Sequence, residues 1–243
     1  MEKTVLPPTT PPSADATFAT HRVLLLNADF QPLGFPLLRN SVLGSEQTVK
    51  DLFEGRIRVI KPSDVVAHAP NVDFPLPSVV ALTEYAPRQN PHRNRPKCGL
   101  ESLYVRDMGM CMYSPEGKRL KLRTPERENR ATMDHIRPVS KGGDTAWENC
   151  MLASCRQNGR KGNKSLADFG QAPLNTAWSP REAELLSCWL IAHWHDDALI
   201  PAAWREFLWP FIKQPSRHVQ QTLERLAPAM NKAAVPFTTP EAV

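Results

Sequence analysis

The sequence lacks any hydrophobic segment long enough for a membrane helix or an export signal. Met1 to Leu6 contain no apolar run, and the longest apolar stretch, near Leu185 to Ala192, is far shorter than the ~20 residues that a membrane helix needs. Cysteine is also scarce, and its five copies, an odd number, form no disulfide-like framework. We therefore expect a cytoplasmic protein in a reducing compartment, without a membrane partner.

Residues suited to one kind of chemistry cluster between Asp134 and Lys161. Asp134 and His135 form an Asp-His pair, Asn149 follows fourteen residues on, and Asn158 lies nine residues later. An imidazole can take a proton from water near neutral pH, and Asp and Asn present hard oxygens that suit Mg²⁺ or Mn²⁺. Asn149 is neither acid nor base, so we expect it to hydrogen-bond backbone and orient His135. The pattern predicts a site that cuts phosphodiester bonds.

An isolated Asp-His pair is usually an ordinary surface or capping pair, but this ordered set resembles the HNH, or ββα-metal, endonuclease family of bacteria and bacteriophages. The flanking pattern of that family also matches in three places: Gly-Gly-Asp at 142–144, Trp-Glu-Asn at 147–149 and Arg-Lys-Gly at 160–162. The small α+β region ahead of the motif is similar to the part that often precedes it in bacterial and phage members. The resemblance covers residues 22 to 166.

The resemblance implies a role for each matching residue. His135 would be the general base, Asp134 and Asn158 would bind one divalent ion, and Asn149 would brace the loop, so that the catalytic set is His135, Asn149 and Asn158. It also implies a strand, a loop, a return strand and a helix, predicted at Thr132–Ile136, Gly142-Gly143, Asn149–Leu152 and around Asn158. Mg²⁺ or Mn²⁺ is the expected cofactor and DNA the expected partner.

The positive charge is concentrated around this motif. Residues 88–165 hold seventeen Lys or Arg against eight Asp or Glu, although the net charge of the whole chain is only +5. Charge runs are commonly solvated loops, but their coincidence with a phosphodiester site favours a track for the DNA backbone. The DNA-binding candidates are Arg137, Lys141, Arg156, Arg160, Lys161 and Lys164.

The cysteines depart from the family pattern. Many relatives carry two Cys-x-x-Cys knuckles that bind a structural zinc ion, whereas here the matching segments read Cys-Met-Tyr-Ser at 111–114 and Cys-Arg-Gln-Asn at 155–158. Cys111 and Cys155 are therefore weak zinc candidates, to which Cys98 and Cys150 would have to be added in a spacing that fits no common zinc site. We favour no structural zinc, with apolar packing through Met110, Met112 and Tyr113 instead.

Composition and periodicity predict an α+β fold with a small N-terminal α+β region and a helical C-terminal appendage. The resemblance implies a ββα-metal HNH nuclease core between them. Before the motif we predict strands at Val23–Asn27, Ile57–Ile60 and Ser78–Leu82, and a helix at Glu46–Phe53. The predicted segments are a disordered tail (1–20), the N-terminal region (21–97), the HNH nuclease domain (98–170), the helical region (171–230) and a loose tail (231–243).

Helical signals dominate beyond Pro173. Ser179 is predicted to cap a helix that starts at Pro180, and further helices are predicted at Pro201–Trp209 and Ser216–Leu226. Five Trp lie between positions 178 and 209, and we expect them in a core rather than on a base-stacking platform. These helices would pack on the nuclease part or contact a second copy of the chain or another protein.

The sequence therefore predicts a metal-dependent HNH endonuclease that hydrolyses DNA. Two alternatives remain open. One is a DNA-binding module that has kept the fold without cleavage, and the other is an accessory protein of phage packaging or assembly that uses its C-terminal helices.

Overall fold

The computed structural model describes residues 18, 20–33, 41–69, 72–88, 90–114 and 117–232. They form two compact units. The first contains the described residues up to Arg88 together with Pro201–Leu208, and the second contains those from position 90 to Ile200 and from Trp209 onward. The protein has mixed α+β architecture, as predicted. The predicted segment boundaries stay a prediction, and both predicted tails lie largely outside the described residues.

The first unit is built on a four-stranded sheet. The elements of this unit are β1 (Arg22–Leu26), β2 (Val42–Gly44), α1 (Ser45–Phe53), β3 (Ile57–Ala69), β4 (Val72–Leu82) and α6 (Ala202–Leu208). The strands lie in the order β2-β1-β4-β3, with β1 and β4 parallel and the other neighbours antiparallel. Apolar side chains of β1, β3 and β4 pack together in the core, where Val23 and Val80 are fully buried.

The strands β3 and β4 extend well beyond the predicted Ile57–Ile60 and Ser78–Leu82. Pro62, Pro75 and Pro77 lie inside the extensions, where proline removes a ladder donor and makes a sequence look unlike a strand. The strand pair tolerates them through register shifts between Val59 and Val66. The short strand β2 was not predicted, whereas β1 and α1 lie where the sequence placed them.

The second unit contains a two-stranded antiparallel sheet surrounded by helices. Its elements are α2 (Leu100–Arg106), β5 (Ala131–His135), a 3₁₀ turn (Val139–Lys141), β6 (Cys150–Ser154), α3 (Cys155–Lys161), α4 (Leu166–Phe169), α5 (Glu182–His193), a second 3₁₀ turn (Trp209–Phe211) and α7 (Arg217–Lys232). The predicted order of strand, loop, strand and helix is therefore present, and the end of α3, at Lys161, lies beside His135, where the loop that joins β5 to β6 begins.

Two helix predictions beyond Pro173 need correction. The helix α5 begins at Glu182 with Arg181 as its N-cap, because the Arg181 amide donates to Glu184 Oε2 at 2.8 Å, so Ser179 is not the cap. The helix α7 continues through Lys232, beyond the predicted Leu226. Trp178, Trp194 and Trp204 are buried, as predicted for a core, whereas Trp189 and Trp209 are only half-buried. No described helix has the length and apolarity to cross a membrane.

Candidate active site

Two hydrogen-bonded strands and one helix carry the predicted site residues. In the β5–β6 pair Asp134 lies opposite Met151 and His135 opposite Cys150. The chain then passes from Ser154 directly into α3, where the Ser154 hydroxyl caps the helix by accepting from the Gln157 amide at 3.1 Å. This arrangement places Asn158 beside β5.

Asn149 holds the loop between the two strands at three points. Its Oδ1 accepts from the Arg137 amide at 2.8 Å, and its Nδ2 donates to the carbonyls of Arg137 (3.2 Å) and Asp144 (2.8 Å). The loop approaches so closely that a Cβ on Gly143 would lie 1.8 Å from the Arg137 oxygen. The side chain of Asn149 therefore fixes the backbone that follows His135 through hydrogen bonds to backbone groups, which are the contacts expected from the sequence.

His135 is the last residue of β5 and is partly exposed. Its Nε2 lies 3.0 Å from the Thr145 hydroxyl, and no hydrogen bond among the described residues engages its Nδ1. If Nε2 carries the proton and donates to Thr145, Nδ1 keeps a lone pair that can accept a proton. Thr145 was not among the predicted site residues.

Asp134 points to the other face of the strand and is buried, with 2% exposure. Its Oδ2 accepts from the Tyr113 hydroxyl at 2.7 Å, and its Oδ1 lies 3.2 Å from the Lys161 ammonium. Burial raises the pKa of the Tyr113 phenol far above its usual range, and the adjacent Asp134 charge raises it further, so Tyr113 donates. Lys161 also donates to the His135 carbonyl at 2.6 Å.

Asn158 lies on α3 with its amide group turned toward β5. Its Nδ2 donates to Thr132 Oγ1 at 3.2 Å and to the Met133 carbonyl at 3.1 Å. Among the described residues, no hydrogen bond engages its Oδ1, so this oxygen remains open to a ligand.

Two family models match the chain. Residues 117–164, which include both strands and α3, match the model of HNH endonuclease. Residues 23–90 match the model of the HNH endonuclease-associated N-terminal domain.

The chain carries an HNH domain.

The resemblance to the HNH family is thereby confirmed, and nuclease activity is the function that this domain indicates. HNH nucleases act on DNA and generally use a divalent metal ion. No curated protein and no solved structure gives a significant match to the chain.

The predicted ion site between Asp134 and Asn158 does not fit the observed hydrogen bonds. An ion at about 2.1 Å from an oxygen needs space next to that oxygen, whereas the Asp134 carboxylate is buried and a donor already lies beside each of its oxygens. Lys161 already supplies the positive charge next to Oδ1. Within the described ranges, no group of three or more His, Cys, Asp or Glu side chains is placed to hold a metal. Only Asn158 of the predicted pair presents an open oxygen.

The HNH domain exposes most of the predicted DNA-binding side chains. Arg160 is exposed, and among the described residues its side chain donates only to the neutral Gln157 side chain, at 3.2 Å, whereas Arg156 forms an ion pair with Glu128. Lys161 differs, since it is 1% exposed and paired with Asp134. A buried ammonium cannot reach a phosphate in solution, so the structure does not support Lys161 as a DNA contact. The exposed members are Arg137, Lys141, Arg156, Arg160 and Lys164.

The two cysteine-containing segments meet through hydrogen bonds. Cys111 Sγ accepts from the Ser154 amide at 3.3 Å, and Gln157 Nε2 donates to the Tyr113 carbonyl at 3.2 Å. Cys155 instead accepts from Arg130 Nη2 at 3.3 Å. Ser154 and Gln157, rather than Cys155, are therefore the partners of the first segment. Met112 and Tyr113 of this segment and the preceding Met110 are fully buried, in agreement with the predicted apolar packing.

Proposed function

We propose that this HNH domain hydrolyses phosphodiester bonds in DNA, with His135 as the general base. The observation that carries the proposal is the placement of His135. Its imidazole is partly exposed at the end of β5, its Nε2 is fixed by Thr145, and its Nδ1 has no partner among the described residues. A base needs this combination of a fixed ring and a lone pair open to water.

The proposed reaction is an in-line hydrolysis. His135 takes a proton from a water molecule, the water oxygen attacks phosphorus, and the bond from phosphorus to the 3′ oxygen breaks. The leaving oxygen takes a proton from solvent. The products are a 5′-phosphate and a 3′-hydroxyl.

The DNA backbone would be held by exposed cations near His135. Arg137 and Lys141 lie on the loop that follows it, and Arg160 and Lys164 lie at the end of α3 and just beyond. Arg137 is itself held in place, because its Nε donates to the Lys141 carbonyl at 2.8 Å. Phosphate contacts of this kind position a duplex without reading its sequence.

Mg²⁺ or Mn²⁺ remains the proposed ion, with Asn158 Oδ1 as the one open oxygen of the predicted pair. A divalent ion would supply charge neutralisation at the phosphate when bound. Because the Asp134 carboxylate is engaged, no step of the reaction is assigned to an ion on it.

A plasmid assay tests the proposal. Supercoiled plasmid is incubated with the protein in a panel of divalent ions and in EDTA, and nicked and linear products are measured. We expect cutting by the natural protein, and a loss of at least about 10³-fold in His135→Ala, with DNA affinity changed only a few-fold. The matched control is His195→Ala, which removes an exposed histidine on the C-terminal side of α5 and should leave cutting normal. Normal cutting by His135→Ala would refute the assignment.

A second candidate is a DNA-binding HNH module without cleavage. The closed ion pair between Asp134 and Lys161 favours it, because a carboxylate bound to an ammonium leaves no acidic ligand for an ion. This candidate predicts duplex binding without products in any ion of the panel.

A further inference from the structure

We propose that Tyr113, Asp134 and Lys161 form a buried positioning cluster for His135, in which Asp134 holds the Lys161 ammonium and is not a metal ligand. The proposal rests on the proposed function, since it assigns these three residues to the placement of the proposed base. They are called the Asp134 cluster below.

Tyr113 and Lys161 both lie within hydrogen-bonding distance of the Asp134 carboxylate, and all three side chains are buried. Tyr113 is fully buried, Lys161 is 1% exposed and Asp134 is 2% exposed. The hydroxyl of Tyr113 and the ammonium of Lys161 approach different oxygens of the carboxylate, at 2.7 and 3.2 Å. A donor therefore already lies beside each oxygen of the carboxylate, and burial keeps a hydrated ion from its remaining lone pairs.

Charge balance supports the same assignment. One carboxylate and one ammonium neutralise each other, whereas adding a divalent ion beside them would leave two uncompensated positive charges in a buried place. Burying unpaired charge is strongly unfavourable, while a well-bonded ion pair is tolerated. The pair is also held in its place, because Lys161 has a second partner in the His135 carbonyl.

The link to His135 runs through the backbone. Lys161 Nζ binds the carbonyl of His135 at 2.6 Å, and the amide of the next residue, Ile136, donates to the Asn149 carbonyl at 2.8 Å. The peptide that follows the proposed base is therefore held from both sides, by Lys161 of α3 and by Asn149, the residue before β6. Loss of Asp134 would release Lys161 and, with it, one of these two attachments. A small displacement of a catalytic group is enough to cost about 10²-fold in rate.

Three variants separate a positioning role from metal binding. In Asp134→Asn we expect kcat to fall about 10²-fold with an unchanged KM. Tyr113→Phe removes a single hydroxyl, keeps the ring in its packing place and should lower kcat by about fivefold. Lys161→Met should lower kcat as Asp134→Asn does. Glu224→Gln and Lys213→Met, which alter exposed charges outside residues 117–164, are the matched controls.

The deciding readout is the Mn²⁺ affinity, measured by titration calorimetry. We expect Asp134→Asn to keep the Mn²⁺ affinity of the natural protein within about tenfold. Absence of Mn²⁺ binding in both proteins would also agree with the proposal. A larger loss of affinity in Asp134→Asn would overturn it.

The folding state of the variants is checked by thermal unfolding. If Asp134→Asn does not fold, Tyr113→Phe carries the kinetic test, and an unchanged kcat in that variant contradicts the positioning role. If the natural protein cuts no DNA while the Mn²⁺ affinities are as expected, the result contradicts the proposed function. It does not contradict the assignment of Asp134 as a partner of Lys161.

Discussion

Arg106 and Asp107 form a bidentate ion pair that is completely buried in the second unit. Arg106 Nε lies 2.7 Å from Asp107 Oδ1, and Nη2 lies 3.0 Å from Oδ2. The remaining donors of the guanidinium reach three carbonyls, those of Trp147, Cys150 and Trp178. Asp107 Oδ2 also accepts from the Leu152 amide at 2.8 Å. The pair therefore fixes the end of α2 to β6, the strand that pairs with β5 and lies opposite His135.

Removal of one partner of this pair should destabilise the second unit. Arg106→Met leaves a buried carboxylate without its counter-charge and three carbonyls without donors, which should lower the free energy of unfolding by about 3–5 kcal/mol. Urea unfolding measures the change. Arg217→Met, at an exposed position of α7, is the control and should change stability by less than about 0.5 kcal/mol. A similar small change in Arg106→Met would show that the pair contributes little.

Two glycines of the HNH domain should respond in opposite ways to alanine. In Gly143→Ala the new methyl would lie 1.8 Å from the Arg137 carbonyl and 2.9 Å from Asn149 Nδ2, so the loop must move. We expect a loss of about 2–4 kcal/mol in stability and reduced cutting. Gly159 lies on α3 with open space around it, and Gly159→Ala should stabilise the protein by about 0.5–1 kcal/mol. Equal effects on thermal unfolding would contradict this account.

Sequence reasoning reached the order of the elements around His135, because spacing and turn residues are local signals. It could not show that Asp134 is buried, since the partners Tyr113 and Lys161 lie 21 and 27 residues away in the chain. One local signal was available. Neighbouring residues of a strand point to opposite faces, so Asp134 and His135 on β5 could not both face one ion from the same side of the sheet.

The N-terminal strands and the cysteines show the same limit. Strand propensity predicted that β3 ends near Ile60 because a proline follows, whereas pairing with β4 extends the strand to Ala69. Likewise the sequence matched Cys111 and Cys155 to the two zinc knuckles of the family only as weak candidates, and it gave no partner for Cys111. The structure pairs Cys111 with Ser154 because the strand β6 runs to that residue before α3 begins.

Cys155 should be the most reactive thiol of the chain. The hydrogen bond from Arg130, and to a smaller extent from Arg127, lowers the pKa of Cys155, while burial raises the pKa of Cys150 to about 12 and that of Cys188 further. Only the thiolate attacks iodoacetamide, so Cys155 should be labelled first at pH 7. Peptide mass spectrometry over time measures the order. Arg130→Met should slow labelling of Cys155, and labelling of Cys188 at the rate of Cys155 would contradict the prediction.

Two arginines of α3 should contribute differently to DNA binding. Arg160 is exposed and, within the described ranges, its side chain donates only to the neutral side chain of Gln157, whereas the charge of Arg156 is already compensated by Glu128. A phosphate contact releases counterions, so Arg160→Ala should weaken binding of a short duplex and reduce the slope of log Kd against log salt by about one. Arg156→Ala should change the slope less, since Arg156 must leave Glu128 before it can bind phosphate. Fluorescence anisotropy at several salt concentrations, in the His135→Ala background to prevent cutting, measures both slopes. Equal slopes in the two variants would mean that the ion pair with Glu128 opens freely, and an unchanged slope in Arg160→Ala would place the DNA backbone away from the end of α3.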